Sequence, residues 1–218
     1  MASLPLFPLG TVLLPGARLP LQIFEPRYVA MLRDIVDGQG ERPPVFGVLA
    51  IREGFEVGDD GVRALHQVGC AALLTQAASL GDERFLIVCE GTERFRLEGI
   101  ENAGTDYFTG EVSWLDEVDG DRGALDDLAA RLRREIAAFR RATAADDDDE
   151  TPPDDNRELS YWLPNVVNLD LGERQQLLAS DDTEARLRLS LRLVRRERAL
   201  AEALGAVAPP PDRPMNLN

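Results

Sequence analysis

The sequence predicts an α+β protein, with a mostly antiparallel β pseudo-barrel over residues 1–118 followed by an α-helical lobe over residues 119–205. Two observations carry this expectation. Before Gly123 the apolar residues fall in short runs or alternate with period two, and after it they recur with period 3.6. Turn-forming strings such as Asp59-Asp60-Gly61 and Gly81-Asp82-Glu83 separate the runs of the first half. Many short strands so spaced favour a sheet that curls on itself. A length of 218 residues suits one domain of two lobes, or two small domains, with enough chain to bury a sizeable core.

Taken in order, strands are predicted at Val12–Leu14, Leu19–Phe24, Val45–Ile51, Ala64–Thr75, Arg84–Glu90, Arg94–Ile100 and Tyr107–Leu115. The last alternates cleanly, with Phe108, Gly110, Val112 and Trp114 on one face. Pro5, Pro8, Pro15 and Pro20 lack a backbone N–H and should mark strand ends and edges. One helix interrupts the strands. Pro26 fits its first turn, Tyr28, Met31, Leu32, Ile35 and Val36 form its apolar stripe, and Gly38 fits its end.

In the second half, Leu125, Leu128, Leu132, Ile136 and Phe139 share one helical face. The acidic, proline-bearing stretch 146–155 should be a solvated loop. Leu159, Trp162, Leu163, Val166 and Val167 then fit a helix, with Pro164 requiring a kink or restart inside it. Asp170 followed by Glu173 fits a capping box, and Asp182 or Thr183 can cap a final helix carrying Leu187, Leu191 and Val194. Gly205 would stop that helix, and the proline-rich tail 206–218 should be disordered.

The formal charge is −15, with nine Arg against eighteen acids in residues 1–118 and fifteen Arg against twenty-one acids in residues 119–218. Neither half is basic, which argues against nucleic acid and anionic membranes as ligands. No apolar run reaches bilayer length, and the proline-rich start with no base before Arg18 makes a poor secretory signal. Cys70 and Cys89 lie in apolar strand surroundings as expected of buried reduced thiols, and a cytoplasmic location follows. The chain contains no lysine. A Walker A phosphate loop, a Ser-Lys peptidase and Schiff-base catalysis each need one, so none can be built from these residues.

Other chemistry is sparse. His66 is the single histidine, too few ligands for a zinc site even with Cys70 four residues away. Pairing of Cys70 or Cys89 with His66 as a nucleophile lacks any helix N-terminus or basic cluster to lower a thiol pKa. Asp146–Asp149 lacks the spacing of a calcium loop, and the acidic Gly54–Gly61 stretch precedes a strand, a poor phosphate cradle. No cofactor, metal or catalytic residue is expected.

The densest signal is the opening: Leu4-Pro5-Leu6-Phe7-Pro8-Leu9, Leu14-Pro15-Gly16 and Leu19-Pro20-Leu21-Gln22-Ile23-Phe24-Glu25-Pro26-Arg27-Tyr28. This string resembles the start of the N-terminal, substrate-recognition domain of Lon proteases, a PUA-like pseudo-barrel that also occurs in cereblon. Phe46-Gly47-Val48, Val68-Gly69, Glu90-Gly91 and Arg94-Phe95 follow in family order. Leu159-Ser160-Tyr161, Asp170-Leu171 and Arg174-Gln175 look like the helical lobe of small bacterial members. Pro164 departs from the usual unbroken helix.

The resemblance implies a non-catalytic module that binds unfolded or partly folded polypeptides, as an adaptor or chaperone-like factor whose partner is a protease or chaperone. A small-molecule pocket on the barrel is the alternative that the likeness to cereblon permits. Phe24, Tyr28, Trp114 and Trp162 are the candidate peptide-binding rings, against the simpler reading that they form core. Glu25, Pro26, Arg27 and Arg94 read as scaffold, with Glu25 and Arg94 expected to pair where helix meets barrel.

Overall fold

The computed structural model describes residues 2–38, 43–54, 62–101, 104–143 and 151–204. The predicted loop at 146–150, the stop at Gly205 and the tail 206–218 fall outside these residues. The chain divides into two compact units, one ending at Asp116 and the next starting at Glu117.

Seven strands and one helix make the first unit among the described residues: β1 (Ala2–Leu9), β2 (Arg18–Ile23), α1 (Pro26–Asp37), β3 (Val45–Gly54), β4 (Val62–Leu65), β5 (Val68–Gly81), β6 (Arg84–Glu101) and β7 (Thr109–Trp114). The strands form a sheet of order β1-β7-β6-β5-β3-β4, with β2 added against β6. All pairings are antiparallel except β1 with β3. Residues 2–5 of β1 pair with β7 and residues 6–9 with β3, so the order of pairings returns on itself. Because β1 neighbours neither strand along its full length, the sheet curls without making a clear barrel.

The strands differ from the predicted ones in instructive ways. Val12–Leu14 is not a strand, although all three side chains are buried. The turn after them docks on Gly91 instead: Gly16 N donates to Gly91 O at 2.8 Å and Gly91 N donates to Ala17 O at 2.9 Å. The two strands expected at 84–90 and 94–100 are the single β6, and the one expected at 64–75 is split at His66-Gln67 into β4 and β5. The β5–β6 hairpin turns through Asp82 (φ 51°) and Glu83 (φ 56°), the left-handed pair that a two-residue type I′ turn needs. Pro20 lies on β2, which pairs only with β6, as its missing donor requires. Pro5 and Pro8 sit inside β1 rather than at its ends, but each half of that strand has one partner and therefore one open edge.

One buried cluster of the sheet joins Leu4, Leu6, Leu49, Phe95 and Val112. Phe95 explains two glycines of the family-order strings. A Cβ at Gly69 would lie 2.5 Å from the Phe95 ring and one at Gly47 would lie 2.8 Å from it. Both positions must stay bare for the ring to fit.

The second unit holds α2 (Arg122–Thr143), α3 (Asn156–Trp162), a 3₁₀ turn (Leu163–Asn165), α4 (Leu171–Ala179) and α5 (Thr183–Leu204). Leu125, Leu128, Leu132 and Ile136 of α2 are buried, as are Leu187, Leu191 and Val194 of α5. Pro164 does end α3, converting the next three residues to 3₁₀. Asp182 caps α5 through Ala185 N at 2.7 Å. The capping box is complete, with Glu173 N donating to Asp170 Oδ1 at 2.8 Å and Asp170 N donating to Glu173 Oε2 at 3.2 Å. Asp170→Ala should cost about 1 kcal/mol. A urea midpoint unchanged within error would contradict that role for the cap.

Candidate polypeptide-binding surface

The Phe24–Tyr28 string ends β2 and starts α1. Glu25 is the N-cap in extended geometry, without a side-chain capping bond, and Pro26 opens the helix. The freed Glu25 carboxylate instead accepts from Arg27 Nη2 at 2.8 Å. Arg27 also lies over the Tyr28 ring, 4.6 Å from its centroid, and Tyr28 packs on Phe7 with centroids 4.0 Å apart. Phe7 in turn meets Phe46 at 5.9 Å. The motif is thus a clasp that fixes the entry of α1 onto β1 and β3.

Glu25 pairs with Arg27 and not with Arg94, the partner expected from the sequence. Two residues apart across a helix start, Glu25 and Arg27 meet without help from another element. Arg94 is buried in mid-β6, opposite Cys70 in register, and its carbonyl accepts from Leu115 N at 3.0 Å.

The four candidate rings separate into two kinds. Phe24 and Trp114 are each 43% exposed, whereas Tyr28 and Trp162 are 3% and 8% exposed and serve as packing. Phe24 and Tyr28 line one crevice with Phe7, Pro8, Gln22, Ile23 and Glu25, but its volume is about 10 Å³, room for a water at most. Trp114 stands edge-on to Phe95, with centroids 6.2 Å apart. Trp162 belongs to the second unit, where the Arg140 guanidinium lies 5.5 Å from its ring.

The titratable groups offer no poised nucleophile among the described residues. Cys70 and Cys89 are free and buried, and burial pushes the Cys89 thiol up to about 12. His66 is held below its usual value by burial and then by Arg52, so it is neutral at pH 7. Burial, and a 2.9 Å hydrogen bond to Asp34, raise Tyr107 to about 12. No group of three or more metal-ligating side chains occurs among the described residues.

Sequence reasoning missed three features. Leu80, Leu86 and Ile100 are exposed apolar residues on β5 and β6. The second half of β5, Thr75–Gly81, is exposed at every position. The signal was there: this stretch has no charged residue and no period-two alternation of apolar and polar side chains. In the second unit, Arg131, Arg134, Glu135, Ala138, Arg195 and Arg198 line an open groove of about 290 Å³ between α2 and α5. Glu135 neutralises part of it, accepting from Arg195 Nε at 2.9 Å and forming an ion pair with Arg198, whose Nε lies 3.2 Å from Oε2.

Comparison with known proteins places this architecture. The model of the ATP-dependent protease La (LON) substrate-binding domain matches residues 3–196. The Lon protease of Anaeromyxobacter dehalogenans is 27% identical over 210 residues, covering 91% of this chain and 24% of that protein. Lon protease 2 of Myxococcus xanthus is 27% identical over 205 residues, covering 90% and 24%. The chain therefore spans about a quarter of the length of these relatives. Among solved structures, a Lon N-terminal domain protein from Xanthomonas campestris superposes with a TM-score of 0.61 at 30% identity, over 88% of this chain and 98% of that one. The N-terminal domain of the Mycobacterium avium complex Lon protease, at 17% identity, shares the fold with a TM-score of 0.65 over 89% and 98%. On the strength of a match that runs through both units, this chain belongs to the Lon substrate-binding domain family.

Proposed function

We propose that the chain is a non-catalytic recognition module for unfolded or partly folded polypeptide segments, working in the cytoplasm as an adaptor or chaperone-like factor beside a protease or chaperone. The observation that carries this reading is the family match over residues 3–196, a domain described by its binding of substrate. The exposed rings of Phe24 and Trp114 supply aromatic anchors of the kind that dominate peptide binding. No helix among the described residues is long and apolar enough to cross a membrane.

The small-molecule alternative has less support. A ligand-sized pocket needs roughly 300–1,000 Å³, and the crevice beside Tyr28 offers about 10 Å³.

A peptide array scanned at two salt concentrations tests the proposal. A protein of net charge −15 should prefer basic, apolar peptides. That preference should weaken as salt screens charge beyond roughly 10 Å at 0.1 M. An array on which no unfolded sequence exceeds background, at either salt, defeats the reading.

A further inference from the structure

We infer that the outer edge of β5, Thr75–Gly81, is where an extended polypeptide segment docks, adding itself to the sheet as a further strand. The inference rests on the polypeptide-recognition reading and names its surface. β3 pairs with β5 only from Cys70 to Leu73, and one further contact, Leu74 N donating to Pro44 O at 2.9 Å, closes that side. Beyond it β5 continues to the hairpin turn paired with β6 alone, through Gln76↔Val88 to Gly81↔Arg84. No described strand covers the other side of Thr75–Gly81. Along such an edge every second residue directs its N–H and C=O outward.

Proteins guard open edges with charge, proline, bulges or a covering element. Here the register shifts only at the two ends, between Leu74 and Gln76 and between Ser79 and Gly81, and Gln76–Ser79 pairs regularly with β6. Thr75-Gln76-Ala77-Ala78-Ser79-Leu80-Gly81 carries neither charge nor proline, in a chain that is 29% charged. Apolar side chains lie beside it. Leu86, 39% exposed, stands on β6 in register with Ala78, one strand in from the edge. Leu80, at the bulge before the turn, is 48% exposed. Backbone bonds from the edge would hold a segment of any sequence, and Leu80, the large apolar side chain on the edge itself, would favour an apolar residue beside it.

The occupant is an extended segment and not a second copy of the chain. Seven residues of strand run roughly 24 Å and a sheet is about 10 Å thick, so two such edges would cover some 240 Å² on each copy. A stable interface takes about 800 Å² per partner. A mobile segment needs only weak, sequence-tolerant affinity, and the net charge of −15 favours a basic one.

The test uses the ¹⁵N-labelled chain and a heptapeptide of alternating valine and arginine, followed by amide NMR. Two further peptides carry N-methyl groups on the odd or on the even amides, so that each loses the donors of one strand edge. The amides of Thr75–Ser79 should shift, those facing outward should exchange at least tenfold more slowly, and one methylated peptide should bind at least tenfold more weakly than the other. Shifts confined to other amides, or equal binding by both methylated peptides, overturn this site and leave the recognition reading standing. Binding weaker than ~1 mM by every peptide overturns both. Shifts of the same amides with protein concentration alone would assign the edge to a second copy and overturn the inference.

Discussion

Arg186→Ala should lower the stability of the helical unit by about 3 kcal/mol, at the low end of the roughly 3–5 kcal/mol seen when one member of a buried ion pair is removed. Arg186 is the largest fully buried side chain. Its Nη2 donates to Glu117 Oε2 at 2.6 Å and to Thr183 Oγ1 at 3.0 Å, and its Nε donates to Ser160 Oγ at 3.0 Å. The guanidinium lies 4.2 Å from the Tyr161 centroid, while Tyr161 Oη donates to Glu117 Oε1 at 2.7 Å. One arginine thus joins α3, α5 and the segment at Glu117 that leads into α2. The low end is expected because the Glu117 side chain keeps 22% exposure, so water can solvate the abandoned carboxylate. Helical ellipticity followed through a thermal scan should show the midpoint of this unit, of about 100 residues, lower by roughly 12–24 °C. Arg186→Ala and Glu117→Gln should also be non-additive, since each removes the same pair. Additive losses, or a midpoint within 2 °C of the parent, would show that the network is incidental.

Phe95→Ala should cost about 3–5 kcal/mol in the sheet unit, the range for deleting a fully buried aromatic ring. Phe95 is 0% exposed, sits among Leu4, Leu6, Leu49 and Val112, and supports Trp114 edge-on. The space it fills is bounded by Gly47 and Gly69, so removal leaves a cavity that backbone alone borders on two sides. Gly69→Val is expected to do comparable damage from the opposite direction, because its Cβ would also meet Val48 O at 2.6 Å. Hydrogen exchange of β3, β5 and β6 should rise in both variants. Protection unchanged in those strands would place the stability of the sheet elsewhere.

What could be read from the sequence follows from how local each signal is. The capping box at Asp170 and Glu173, the break at Pro164 and the helical stripes of α2 and α5 depend on residues within a few positions, and the structure has them where they were expected. The strand boundaries depend on distant partners. Val12–Leu14 looks like a strand because it is apolar, but its backbone is claimed by a turn bonded to Gly91, some seventy-five positions away. The same holds for Glu25. A charge among apolar residues signals a pair, yet only the geometry of the helix start shows that Arg27 reaches it first. Among the candidate rings, composition could not separate Phe24 and Trp114, which stay exposed, from Tyr28 and Trp162, which the cores absorb. The bare edge at Thr75–Gly81 was visible only as missing charge, a signal that acquires meaning once the pairing order is known.

The most direct measurement is a titration of the intact chain with one protein in two states, permanently unfolded by reduction and alkylation and natively folded, at 50 mM and 500 mM salt. A polypeptide-recognition module should bind the unfolded form more tightly than ~1 mM at the lower salt, more weakly at the higher, and the native form not at all. Equal affinity for both forms, or none for either, would contradict the account.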